Sequence, residues 1–169
     1  MRRNELETIK KLPVEIAIRL AQSEYLQRLL LIDEEDIEGD FTPKKWTELI
    51  DEGYLSISPL TFEDYSRKGI NSFVSIMIDE LNFRNTDNQI NISGQINIGT
   101  NFNHVCLKNN KLRLLEMISE IKTFLDDYKL SSAGKIEITK ASAVAYSEFS
   151  FGYIIRFKTV EQERKEIDI

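Results

Sequence analysis

The only histidine and the only cysteine of the chain, His104 and Cys106, stand two residues apart. A thiolate is a nucleophile and an imidazole can take its proton, so the pair has the residue types of covalent catalysis. On a strand, however, residues two apart point in parallel from one face. No third group is placed to orient the base, and cysteine more often serves as a small buried hydrophobe. Ser119-Glu120-Ile121-Lys122 has the S-x-x-K spacing of acyl-transfer enzymes in which a lysine activates a serine, without their companion motifs. The run Asp33-Glu34-Glu35-Asp36-Ile37-Glu38-Gly39-Asp40 imitates the start of a calcium loop when Glu34 is counted as its first position. The twelfth position is then Lys45, where such a loop needs a bidentate Glu, so a solvated acidic loop is the better reading. No phosphate loop, dinucleotide fingerprint or H-E-x-x-H motif occurs. One His and one Cys cannot build a His/Cys zinc cage. These residues predict no catalytic constellation, no metal site and no cofactor.

Elements must therefore carry the function, and charge says which. The 169 residues include 22 Lys+Arg and 28 Asp+Glu, a net charge of −6. Residues 1–60 hold 8 basic and 13 acidic groups, whereas residues 111–169 hold 10 of each. A polyanion such as duplex DNA favours a basic face, so duplex DNA is disfavoured as a partner and a basic protein is favoured. A single cysteine fits a reducing compartment. No apolar run reaches membrane-span length, and the first residues lack the apolar stretch of a secretory signal, so a cytoplasmic location and no membrane contact are expected.

Along the chain, Val14, Ile18, Ala21, Tyr25, Leu29 and Ile32 recur at helical steps and predict a helix over 13–32 begun by Pro13. Thr42-Pro43 and Gly53 bracket a second helix. A strand is read at 54–58. Phe62, Tyr65, Phe73, Met77 and Leu81 mark a long helix, against which Gly69 and the β-branched stretch from Val74 to Ile78 weigh. Ile90, Ile92, Ile96 and Ile98 alternate with Asn91, Ser93, Gln95 and Asn97, which predicts a strand at 89–98 turning at Gly99-Thr100-Asn101 into another at 102–108. A helix over about 111–129, with Glu116, Glu120 and Asp127 on its solvent side, precedes strands at 135–146 and 149–159. The tail beyond Val160 reads as a short helix or frayed end. The prediction is an α+β fold: a mainly helical acidic lobe, 1–84, followed by a β-β-α-β-β two-layer lobe, 85–169, with its helix on an antiparallel sheet.

Two resemblances to nucleic-acid-binding families arise. Leu49-Ile50-Asp51-Glu52-Gly53-Tyr54-Leu55 resembles a winged-helix element, in an acidic setting. Phe151-Gly152-Tyr153-Ile154 resembles the aromatic strand of the RNA recognition motif, and Val105-Cys106-Leu107-Lys108-Asn109 its other signature strand. The second resemblance covers residues 103–169 and implies single-stranded RNA stacking on Phe151 and Tyr153. It departs from the family where Cys106 replaces a stacking aromatic and Phe149-Ser150 replaces the basic-Gly start. Packing of these aromatics under the helix at 111–129 is the better reading.

The sequence thus leads to a small, non-enzymatic interaction module. An accessory, regulatory or immunity-type factor fits, and the Ile/Asn/Lys-rich composition suits a bacterium or its phage. A basic partner would be steered by Asp33, Glu34, Glu35, Asp36, Glu38 and Asp40, and anchored by Trp46 and Tyr54. Homo-oligomerisation through the strand at 89–98 would follow if its edge were uncovered.

Overall fold

A computed structural model describes residues 3–57, 69–84, 89–131 and 134–160. Among them are helices α1 (Arg3–Leu20), α2 (Glu24–Leu31), α3 (Trp46–Glu52) and α4 (Arg113–Leu125). Six strands join them: β1 (Leu55–Ser56), β2 (Ser72–Arg84), β3 (Gln89–Asn101), β4 (Lys129–Leu130), β5 (Gly134–Ser147) and β6 (Ser150–Val160). They make one sheet in the order β1-β2-β3-β6-β5-β4. Every neighbouring pair is antiparallel except β1 with β2. The class is α+β, as the alternation and capping signals predicted.

The helix predicted over 13–32 is two helices. Ser23 separates them, its hydroxyl oxygen accepting the Leu26 N–H at 2.9 Å as the N-cap of α2. Pro13 lies inside α1 rather than at its start, because α1 begins ten residues earlier. Near the second predicted helix, α3 starts at Trp46, where the Glu48 carboxylate accepts the Lys45 N–H at 2.7 Å. It stops as predicted at Gly53, whose φ of 92° only glycine adopts without strain.

The larger correction concerns residues 72–84, which are strand and not helix. Phe73, Met77 and Leu81 do fall at four-residue steps, but Val74 and Ile76 also alternate and are fully buried. Pairing with β3 from Ser72 to Arg84 satisfies that alternation and gives the backbone groups their partners. The predicted helical start at 61–68 and the tail at 161–169 lie outside the described residues.

β3 also runs further than predicted. Gly99, Thr100 and Asn101 continue the strand rather than turn, and residues 102–104 and 108–110 form single 3₁₀ turns around a Cys106–Leu112 bridge. The strand predicted at 102–108 does not exist. From Ser93 to Asn101 both edges of β3 are bonded, to β2 and to β6, so of the expected pairing edge at 89–98 the part from Ser93 to Ile98 lies inside the sheet.

One core joins helices and sheet. Leu12, Ile16 and Leu20 of α1, Leu26 and Leu29 of α2, and Met117, Ile121 and Leu125 of α4 pack with Val74, Ile76, Ile96, Ile155 and Phe157. On the other sheet face a smaller cluster, Ile70 and Phe73, packs with Tyr54 and Tyr146. No helix among the described residues is long and apolar enough to cross a membrane.

Candidate functional site

The acidic run follows α2 and lies across its surface. Backbone carbonyls just after a helix C-terminus have no intrahelical donors, and here cations supply them. Arg113, fully buried at the first turn of α4, donates from Nε to the His104 carbonyl at 2.7 Å. Its Nη1 reaches the Leu29 and Ile32 carbonyls at 2.6 and 2.7 Å, and its Nη2 the Glu34 carbonyl at 2.9 Å. Burial pulls the Arg113 pKa down and the nearby Asp33 charge opposes that fall. Arg28 of α2 donates to the Ile37 and Gly39 carbonyls at 2.8 and 2.7 Å, and its guanidinium covers the Phe41 ring. Further along, Gln27 exchanges hydrogen bonds with the backbone of Lys44.

The second wall comes from the turns before α4. The Lys108 backbone N–H donates to the Glu35 carbonyl at 2.9 Å, and its ammonium pairs with Asp36 at 2.8 Å. That hydrogen bond, helped by the Glu38 N–H, holds the Asp36 carboxyl below the usual carboxylate range. The same pair raises Lys108. Between the two walls lies an open cavity of about 310 Å³, with Ile37 and Leu107 in its lining and Glu35, Glu38 and Lys111 around them. Tyr25 of α2 donates to Glu116 of α4 at 2.8 Å beside it, and Lys111 approaches the same carboxylate at 3.4 Å. Burial, then the hydrogen bond to Glu116, pushes the Tyr25 hydroxyl up to about 12.

The predicted partner-binding residues are therefore partly united. Asp33, Glu34, Glu35, Asp36, Glu38 and Asp40 are all exposed on this platform. Asp33 accepts from the Asn71 side chain at 2.7 Å. Among the described residues, no ion pair engages Glu34, Glu35, Glu38 or Asp40. Trp46 is half-buried at the first turn of α3, just past the Gln27–Lys44 clasp. Tyr54 is half-buried and packs with Ile70 and Phe73, away from the cavity lining.

Glu116 and Glu120, predicted to face solvent, turn towards α2. Glu120 accepts the Ser23 hydroxyl at 2.5 Å, as Glu116 accepts Tyr25. Arg113 went unrecognised, although the four-residue ladder Arg113, Met117, Ile121, Leu125 places it on the buried stripe.

The other candidate residues are placed elsewhere. His104 sits in a 3₁₀ turn with Nδ1 donating to the Asp33 carbonyl at 2.8 Å, which makes it another fastener of the acidic run. Cys106 is exposed. Phe151 and Tyr153 share the sheet face of Ile155 and Phe157, so they point towards the helical layer and are half-buried against the core. Phe151 is further stacked by Phe102, with ring centroids 5.1 Å apart. Among the described residues no cluster of three or more His, Cys, Asp or Glu could hold a metal ion. Comparison with protein-family models, with curated proteins and with solved structures finds no match for the chain.

Proposed function

We propose that the chain is a small regulatory or accessory protein, of the immunity-factor kind found in bacteria and phages, that acts by binding a basic protein partner. The binding surface is the segment Asp33–Asp40 with the adjoining cavity, and Trp46 supplies an apolar anchor. The observation that carries the reading is the way the segment is fastened. Six hydrogen bonds from Arg28, Arg113 and Lys108 hold its backbone and the end of α2 that leads into it, and the exposed carboxylates project outwards from that support. A charged surface already ordered before encounter loses less entropy on binding. It also steers an oppositely charged partner. Such a role needs no catalytic residue and no cofactor, and it suits a protein of the cytoplasm. Single-stranded RNA binding on Phe151 and Tyr153 has less support, because both rings face the helical layer.

A lysine-rich decapeptide is the simplest probe. Fluorescence anisotropy at low salt should detect binding that weakens steeply as salt rises. The double substitution Glu35→Gln/Glu38→Gln should weaken it about tenfold, at roughly 0.5–1 kcal/mol per exposed charge. The matched control Asp51→Asn/Glu137→Gln, which removes two exposed acids elsewhere, should change it less than twofold. Equal losses from the two pairs would mean that overall charge, and not this surface, does the binding.

A further inference from the structure

Beyond its short pairing with β4 at the end of the sheet, most of the outer edge of β5 has no neighbouring strand among the described residues. β4 pairs with it only at Gly134 and Lys135. Beyond them, Ile136 exchanges backbone hydrogen bonds with Asp127 and Tyr128, and the Ile138 N–H donates to the Asp126 carboxylate at 3.0 Å. Among the described residues no strand pairs with the outer side of Thr139–Ser147.

We propose that this edge joins two copies of the chain, β5 running antiparallel to the β5 of the second copy about a two-fold axis at Ala143. Ala143 is the midpoint of the open stretch. A two-fold axis there sets Ala141 opposite Ala145 and Ser142 opposite Val144, and brings Lys140 beside the bulge at Tyr146. On the helix-side face the strand presents Ala141, Ala143 and Ala145, all exposed, so nothing bulky obstructs the approach of an identical strand.

Charge selects a second copy over an unrelated strand. Antiparallel pairing brings Lys140, at one end of the open edge, to the end of the second copy where Glu148 follows the strand, and the symmetry makes the contact twice. Both residues are exposed and neither has an ion pair among the described residues. Phe149, 66% exposed in the next turn, extends the contact at each end with apolar surface.

Bulges and lysines usually guard a sheet edge against open-ended pairing. Here the bulges fall at Thr139 and Tyr146, one at each end of the open edge, and leave Lys140–Ala145 as its regular stretch. They confine the ladder to one partner and close the assembly as an isologous dimer.

Sedimentation equilibrium on the full chain, from micromolar to millimolar concentration, should show a monomer–dimer equilibrium. Lys140→Glu should move its midpoint at least tenfold towards higher concentration, and Lys140→Glu/Glu148→Lys should move it back. Cross-linking tests the register without altering charge, and so stands if a charge variant fails to fold. With Cys106→Ser in both chains, oxidised glutathione should join a Ser142→Cys chain to a Val144→Cys chain faster than it joins either to itself. A wild-type chain that stays monomeric at millimolar concentration overturns the proposal. So does a dimer indifferent to the charge swap, or one in which two Ser142→Cys chains cross-link to each other fastest.

Discussion

A guanidinium buried without a carboxylate is tolerated only where its N–H groups find other acceptors, because an unanswered buried charge costs several kcal/mol. Arg113 meets that condition with four carbonyls from three different places in the chain. Two of them, from Leu29 and Ile32, belong to the C-terminal end of α2, where a positive charge also complements the helix dipole. The arginine therefore fixes where the acidic run leaves the helix. Tyr25 locks the same helix to α4 in a way that pH can test. Its folded pKa of about 12 lies above the ordinary 10.0, so the folded chain holds the tyrosyl proton more tightly than the unfolded chain does. That contribution is complete below pH 10 and is lost as pH rises through 10 to 12. Urea denaturation at pH 9, 10, 11 and 12 should thus show the wild type losing more stability than Tyr25→Phe, by roughly 1 kcal/mol once solvent screening of this partly exposed group is allowed for. Parallel pH curves for the two proteins would remove Tyr25 from the alkaline transition.

At the scale of elements, the β3–β6 pairing is the seam that joins the two halves of the sheet, and it depends on a residue without a side chain. A methyl group built on Gly152 would overlap the carbonyl oxygen of Ile98 and the backbone of Gly99, neither of which can move without opening the ladder. Gly152→Ala should therefore cost about 3 kcal/mol or more, read as a lower urea midpoint, while Gly39→Ala, which faces open space, should stay within about 0.5 kcal/mol. Equal midpoints would mean that the strands separate at little cost.

The strands on either side of this seam were the most legible part of the sequence. Phe151, Tyr153, Ile155 and Phe157 keep a clean period of two because only one of their faces is apolar. β2 was not legible, since Phe73 packs on the far face while Val74 and Ile76 fill the near one. Buried on both sides, it offered a helical and a strand period at once. The carboxylates of the candidate site were visible as a charge run. Their fasteners were not, because Arg113, the Lys108 backbone N–H and His104 reach the run from 71 or more residues away and donate to carbonyls, which have no sequence signature.

For the whole molecule, the question is whether the helices and the sheet can stand apart. The boundary between residues 84 and 85 separates β2 from β3, yet these two strands are paired from end to end. It also separates α1 and α2 from α4, which they contact directly, and Arg113 from three of its four acceptors. A fragment of residues 85–169 would expose Ile92, Ile96 and Ile98 along one side of β3 and strand a guanidinium at the first turn of α4. The apolar loss alone is several buried side chains at about 1.5–3 kcal/mol each, comparable with the roughly 5–15 kcal/mol net stability of a typical domain. The full chain should accordingly unfold in one transition, with fluorescence of Trp46 and far-ultraviolet circular dichroism coinciding. The fragments 1–84 and 85–169, made separately, should each lack dispersed amide resonances and a cooperative melt, and native-like dispersion should return when they are mixed. A fragment 85–169 that melts cooperatively on its own would show instead that the α4-covered sheet is a self-sufficient unit, to which the acidic platform is attached.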